Sequence, residues 1–146
     1  MNPKRPVAEA LFAALAGQLL DEAEAVVPVY EHVPADYAGG AYVLLSQYAA
    51  TEEPAPACRG QEPPPRWRVS VLADALTPFA GEVSTTPGDL LSEQLQARAR
   101  NLAGQPLPEG YSVDRVTVER TDGFGEDGPD ARWLHNTSRL VFLISY

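Results

Sequence analysis

The sequence predicts an α+β domain, an antiparallel or mixed sheet with two helices packed on one face, in the order α-β-β-β-α-β-β. Three observations lead to this class. Two segments repeat apolar residues at helical spacing. Between and after them lie stretches that are β-branched or strictly alternating. Proline, glycine or clustered polar residues separate each segment from the next.

The first helix is expected from Pro6 to Asp21, where Val7, Leu11, Phe12, Leu15 and Leu19 recur at helical spacing among alanines. Pro6 suits a first helical turn. A short strand follows in "AVVPVYEHV" (25–33), with Pro28 marking an edge position or a strand start. The turn "PADYAGG" (34–40) leads to a stronger strand, "AYVLLSQYA" (41–49). Residues 50–65 hold five prolines and two charge clusters, and read as an exposed loop. In "RWRVSVLAD" (66–74), Trp67, Val69, Val71 and Ala73 take one face, and Arg68, Ser70 and Asp74 the other.

A connection with proline and glycine then reaches the second helix. Thr86 is the expected cap, with Pro87 at the first helical position and Asp89 in the first turn. Leu91, Leu95, Ala99 and Leu102 form its apolar stripe. Arg98 and Arg100 suit the negative end of the helix dipole, and Gly104 is a natural terminator. Two strands finish the chain, about Tyr111–Arg120 and Trp133–Tyr146, around the acidic, glycine-rich hairpin loop 121–131.

The 146 residues read as a single domain, 1–146, long enough to bury a core without disulfides. Twenty acidic residues against eleven basic ones give a net charge of −9. That excludes a basic phosphate-gripping nucleic-acid reader and docking to an anionic membrane. Glu9 and Gln18 interrupt the opening apolar stretch, so it reads as an amphipathic helix rather than a signal peptide. No apolar run has the length of a membrane span. The chain therefore reads as soluble and intracellular when made.

Candidate chemistry is sparse. In "VPVYEHVP" (27–34), Tyr30 and His32 share a strand face while Glu31 points away, a poor arrangement for a base and its orienting carboxylate. The other histidine, His135, also lies in strand context, and no metal-ligand spacing joins the two. Cys58 beside Arg59 lacks a recognisable base. Asp122, Glu126, Asp127 and Asp130 do not follow the calcium-loop pattern, and Gly123, Gly125 and Gly128 do not open a helix after a strand. The expectation is no catalytic residue, no metal and no cofactor. A small enzyme or ligand-binding domain would require Tyr30, His32 or His135 to converge with a carboxylate in a concave site.

One feature exceeds what a two-layer domain needs. "RLVFLI" (139–144) is apolar on both faces, and "YVLL" (42–45) shows the same doubling. Two helices cover only one face of a sheet. Either the sheet curls enough to cover itself, or another subunit buries part of the second face.

From Pro6 to Tyr146 the order of elements, with "VPVYEHVP", "AYVLLS", "WRVSVLADALT", "LLSEQLQARARNL", "VDRVTVER" and "SRLVFLISY", resembles the tail terminator (tail completion) proteins of long-tailed bacteriophages. It departs from them at Ala41, where the family usually has proline, and in the proline-rich stretch 50–65. The resemblance implies a non-enzymatic virion protein of the tail or neck, assembled in the host cytoplasm. It would form a homo-oligomeric ring, commonly a hexamer, that caps the tail tube protein and meets the head–tail connector protein. DNA would pass the lumen without specific binding, which negative charge favours. A neck adaptor or injection-device subunit is the structural alternative. The expected contacts are Trp133, Val141 and Leu143, with Glu52, Glu53 and Arg59 of the first loop and Asp122, Phe124, Glu126 and Asp127 of the second.

Overall fold

The computed structural model describes residues 2–35, 37, 39–53, 65–79, 85–127 and 132–146, with residues 120–122 described by backbone alone. Two helices, α1 (Lys4–Leu15) and α2 (Thr86–Arg100), accompany five strands: β1 (Val29–Tyr30), β2 (Tyr42–Glu53), β3 (Arg66–Phe79), β4 (Ser112–Asp127) and β5 (Arg132–Ser145). The chain order is the expected α-β-β-β-α-β-β. The sheet order is β1-β2-β3-β5-β4, with β1 parallel to β2 and every other pair antiparallel. The sheet is therefore mixed.

Both helices lie on one face. Val7, Leu11 and Leu15 of α1 and Leu91, Leu95 and Ala99 of α2 share a core with Val69 and Val71 of β3 and Leu140, Phe142 and Ile144 of β5. Alternation supplies those strand residues, since Val69 pairs with Phe142 and Val71 with Leu140. Bulges correct the phase elsewhere. In β2 the register shifts between Ser46 and Ala49, where Gln47 takes φ 54°, so that Val43 and Leu45, and then Tyr48 and Ala50, face the helices. In β4 a shift between Val113 and Arg115 likewise keeps Val113, Val116 and Val118 on the core side, and a second shift follows between Val118 and Thr121.

Several element boundaries differ from expectation. Helix α1 stops at Leu15, because Ala16 is extended and Gly17 turns at φ 74°, a conformation glycine adopts without steric cost. Leu19 stays buried from the following hairpin, in which Val27 N–H donates to the Leu19 carbonyl at 2.8 Å. Only Val29–Tyr30 of the first strand pairs, and it forms the sheet edge that Pro28 suggested. Strand β2 runs on to Glu53, so the loop does not begin at residue 50. Strand β3 continues past Asp74 to Phe79, with Pro78 opposite Trp133. The acidic segment is strand rather than loop as far as Asp127, because the β5 ladder extends to the pair Asp127–Arg132.

The residue preceding α2 is Thr85, not Thr86, and no side chain caps the helix. Pro87 and Asp89 do occupy the first turn, and Arg98 and Arg100 the last. Gly88 permits close approach to the sheet, since a Cβ there would collide with the Asn136 side-chain amide. At the far end, Gly104 turns at φ 82°. No helix among the described residues is long and apolar enough to cross a membrane.

Candidate functional site

The face of the sheet without helices gathers most of the unexplained side chains. Alternation sends Leu72, Asp74 and Leu76 of β3 to it, with Trp133, His135, Thr137, Arg139, Val141 and Leu143 of β5. Across the other ladder, Phe124 pairs directly with His135, and Glu126 with Trp133. Asp74 and Glu126 are then the diagonal neighbours of His135 on either side, a separation that long side chains span.

They meet there. Asp74 Oδ2 lies 2.7 Å from His135 Nδ1, and Glu126 Oε2 lies 2.7 Å from Nε2. Phe124 stacks on the imidazole, with centroids 4.4 Å apart and planes 7° from parallel. Asp74 and His135 are buried, whereas the Glu126 side chain is 63% exposed. Burial pushes the Asp74 carboxyl upward from its ordinary value, and hydrogen bonding and charge from His135 oppose that push. A shallow groove of about 450 Å³ opens beside the three residues and is flanked by Leu72 and Arg139.

An aromatic string adjoins this bridge. Trp133 packs edge-to-face on Tyr42 at 5.5 Å, Tyr42 on Tyr37 at 5.0 Å, and Tyr37 on Tyr30 at 5.6 Å. The Tyr37 hydroxyl donates to the Gly40 carbonyl at 2.8 Å, which holds the turn before β2. Burial raises the Tyr37 and Tyr42 hydroxyls above their ordinary range.

At the opposite end of the same face, Val141 and Leu143 line a depression of about 260 Å³ with Arg68, Arg115 and Glu119. An ion pair between Arg68 and Glu53 (2.7 Å) crosses its rim. Val141 is already 7% exposed in one chain, and Leu76 6%, so part of this face is covered without a second subunit. Leu143 and Trp133 remain half-buried.

The other expected contacts scatter. Asp127 turns away to pair with Arg132 at 2.8 Å, and that guanidinium lies 4.8 Å over the Phe79 ring. Glu52 stands opposite Trp67, on the helix-bearing side. The Asp122 backbone pairs with Thr137. Arg59 and Cys58 lie outside the described residues. Asp74 and the tyrosine string were not anticipated. Alternation placed Asp74 on this face, but the register that brings it to His135 is not written in local sequence.

His135 thus converges with carboxylates beside a groove, as an enzyme would require. A general base must turn a free ring nitrogen toward its substrate, and this arrangement presents none to the groove. Both nitrogens are engaged here, one on a buried carboxylate and one on an exposed one. The imidazole is a tie between three strands. His32 is exposed near Glu9 and Tyr30 beside a second groove of about 450 Å³, and no hydrogen bond joins it to a carboxylate among the described residues. No cluster of three metal-ligating side chains occurs among them either.

What the fold defines is an α+β domain with two helices on a mixed five-stranded sheet. No protein-family model matches the chain, and no curated protein does. Five chains of solved structures match it. One belongs to the virion of a native gene transfer agent particle, with a TM-score of 0.54 and 15% identity, over 97% of this chain and 95% of that one. At this identity the likeness establishes a shared fold, from end to end.

Proposed function

We propose that the chain is a structural subunit of a phage-like particle, a tail terminator that closes the tail tube as a ring and joins it to the head connector. The observation that carries this is the likeness of fold, over nearly the whole of both chains, to a component of a gene transfer agent virion. Fold alone is a weak guide to function. The reading is strengthened by the tail-terminator resemblance of the sequence, which rests on residues rather than coordinates. It is also favoured by His135, whose two ring nitrogens are both engaged with carboxylates and leave none free for catalysis.

On this reading the protein acts by assembly, without a cofactor. The half-buried Trp133 and Leu143 are the apolar contacts for a neighbouring copy, and the net charge of −9 keeps passing DNA from adhering. Sedimentation velocity and negative-stain microscopy, on the protein alone and mixed with tail tubes, test it. The expected result is a closed ring, a hexamer, at the end of each tube, with tube lengthening arrested. A chain that stays monomeric alone and leaves tubes growing would overturn the reading. Binding to the connector with tubes left uncapped would make it a neck adaptor instead.

A further inference from the structure

We propose that the Asp74–His135–Glu126 bridge is a proton-held clasp, which ties the outer end of the β4–β5 ladder to β3 and releases Glu126 and Phe124 when one proton is lost. The inference does not depend on the ring.

Each contact in the bridge joins a ring nitrogen to a carboxylate oxygen at 2.7 Å. A short contact between such atoms is favourable only with a proton between them. Two contacts therefore need two protons, whichever of Asp74 and His135 holds the inner one. Removing one leaves a nitrogen lone pair facing a carboxylate lone pair at hydrogen-bond distance, and that contact must open.

The geometry decides which side opens. Asp74 is held on an inner strand with β2 and β5 on either side and its side chain is only 13% exposed, so its carboxylate gains little water by leaving the ring. Glu126 is mostly exposed and stands on β4, the edge of the sheet, with no strand beyond it. Its carboxylate exchanges the ring for water at little cost. Phe124 lies two residues from Glu126 on the same strand and stacks on the same imidazole, so the strand end that frees Glu126 carries Phe124 with it.

Few other charges face the ring. From β2 comes the Tyr42 hydroxyl, which interacts electrostatically with both carboxylates. From β5 comes Arg139, 4.0 Å from Glu119 of β4. Arg132 is engaged with Asp127 on the opposite face. The helices lie behind the sheet and contribute none.

The chain has two histidines, so imidazole nitrogen resonances are readily assigned, and exposed His32 serves as an internal reference. Nitrogen NMR between pH 5 and 9.5 would follow the ring of His135. Amide exchange at 123–127 and 132–136, corrected for intrinsic pH dependence, would follow the strand ends. Wild type should show Nε2, the nitrogen facing Glu126, protonated at the acid end. Protection should then fall by roughly tenfold, the scale of losing one hydrogen bond to a charged group, as pH rises and the bridge gives up a proton. Glu126→Gln should hold protection level, because its amide either accepts from Nε2–H or donates to the bare nitrogen. Level protection in wild type, or an equally steep fall in Glu126→Gln, would refute the clasp. The exposed position of Glu126 keeps that variant folded, so the comparison decides.

Discussion

Gln94 of α2 grips Leu20 by both of its backbone groups. Its Oε1 accepts from the Leu20 N–H at 3.0 Å, and its Nε2 donates to the Leu20 carbonyl at 2.8 Å. Leu20 sits in the hairpin that follows α1, where it bridges to Val26. A side chain of one helix thus replaces the backbone partner that a longer α1 would have supplied. Gln94→Ala removes both hydrogen bonds to Leu20, with a longer one at 3.3 Å to the Leu90 carbonyl, and should cost about 1–2 kcal/mol. Urea unfolding measures this, and a change near zero would show that the hairpin is held by Leu19 and Val27 alone.

Gly88 of α2 lies directly against Asn136 of β5. A methyl group at Gly88 meets the Asn136 side-chain amide, which is itself buried without a hydrogen-bond partner. Gly88→Ala should destabilise by about 1–3 kcal/mol through overpacking. The double variant Gly88→Ala/Asn136→Ala should recover most of that loss. If the double variant were as unstable as the sum of the two single ones, the collision would not be the cause.

Asp74 gives stability a pH dependence of definite sign. Its folded carboxyl is raised above the ordinary 3.8 by burial, against the opposing pull of His135. The protonated form is therefore favoured by folding. The corresponding stability is fully present below the unfolded value and is lost as pH rises through the raised folded value. Asp74→Asn carries no charge and lacks this loss. Denaturation curves from pH 3.5 to 6 should show wild type losing ground to the variant as pH rises. The opposite slope would mean that His135 outweighs burial.

On the proposed ring reading, Leu143 should separate folding from assembly. It is half-buried on the helix-free face, whereas its neighbour Phe142 is 0% exposed in the core. Phe142→Ala should cost about 3–5 kcal/mol. Leu143→Asp should leave the unfolding midpoint within about 1 kcal/mol of wild type, as for residues outside the core, while abolishing rings. Rings that persist in Leu143→Asp would place the subunit contact elsewhere.

Local sequence determined the order of elements, the helix positions of Leu91, Leu95 and Ala99, and the inward face of β3, Trp67 to Ala73. Those follow from 3.6- and 2-residue periodicity, which is a property of a few neighbouring residues. It also placed Pro28 correctly at an edge. Strand ends were less legible, because Pro78 and the glycines at 123 and 125 carry turn-like or breaking preferences that a long ladder overrides. Bulges at Gln47 and beside Val113 and Val118 shift phase without a strong local signal. The bridge of Asp74, His135 and Glu126 joins residues 61 and 9 positions apart. Register between β3, β5 and β4 alone brings them together, and register is fixed by which apolar residues share the core. The tertiary structure therefore decided that a lone strand histidine is a three-way tie, while the sequence determined that the strands carrying it exist.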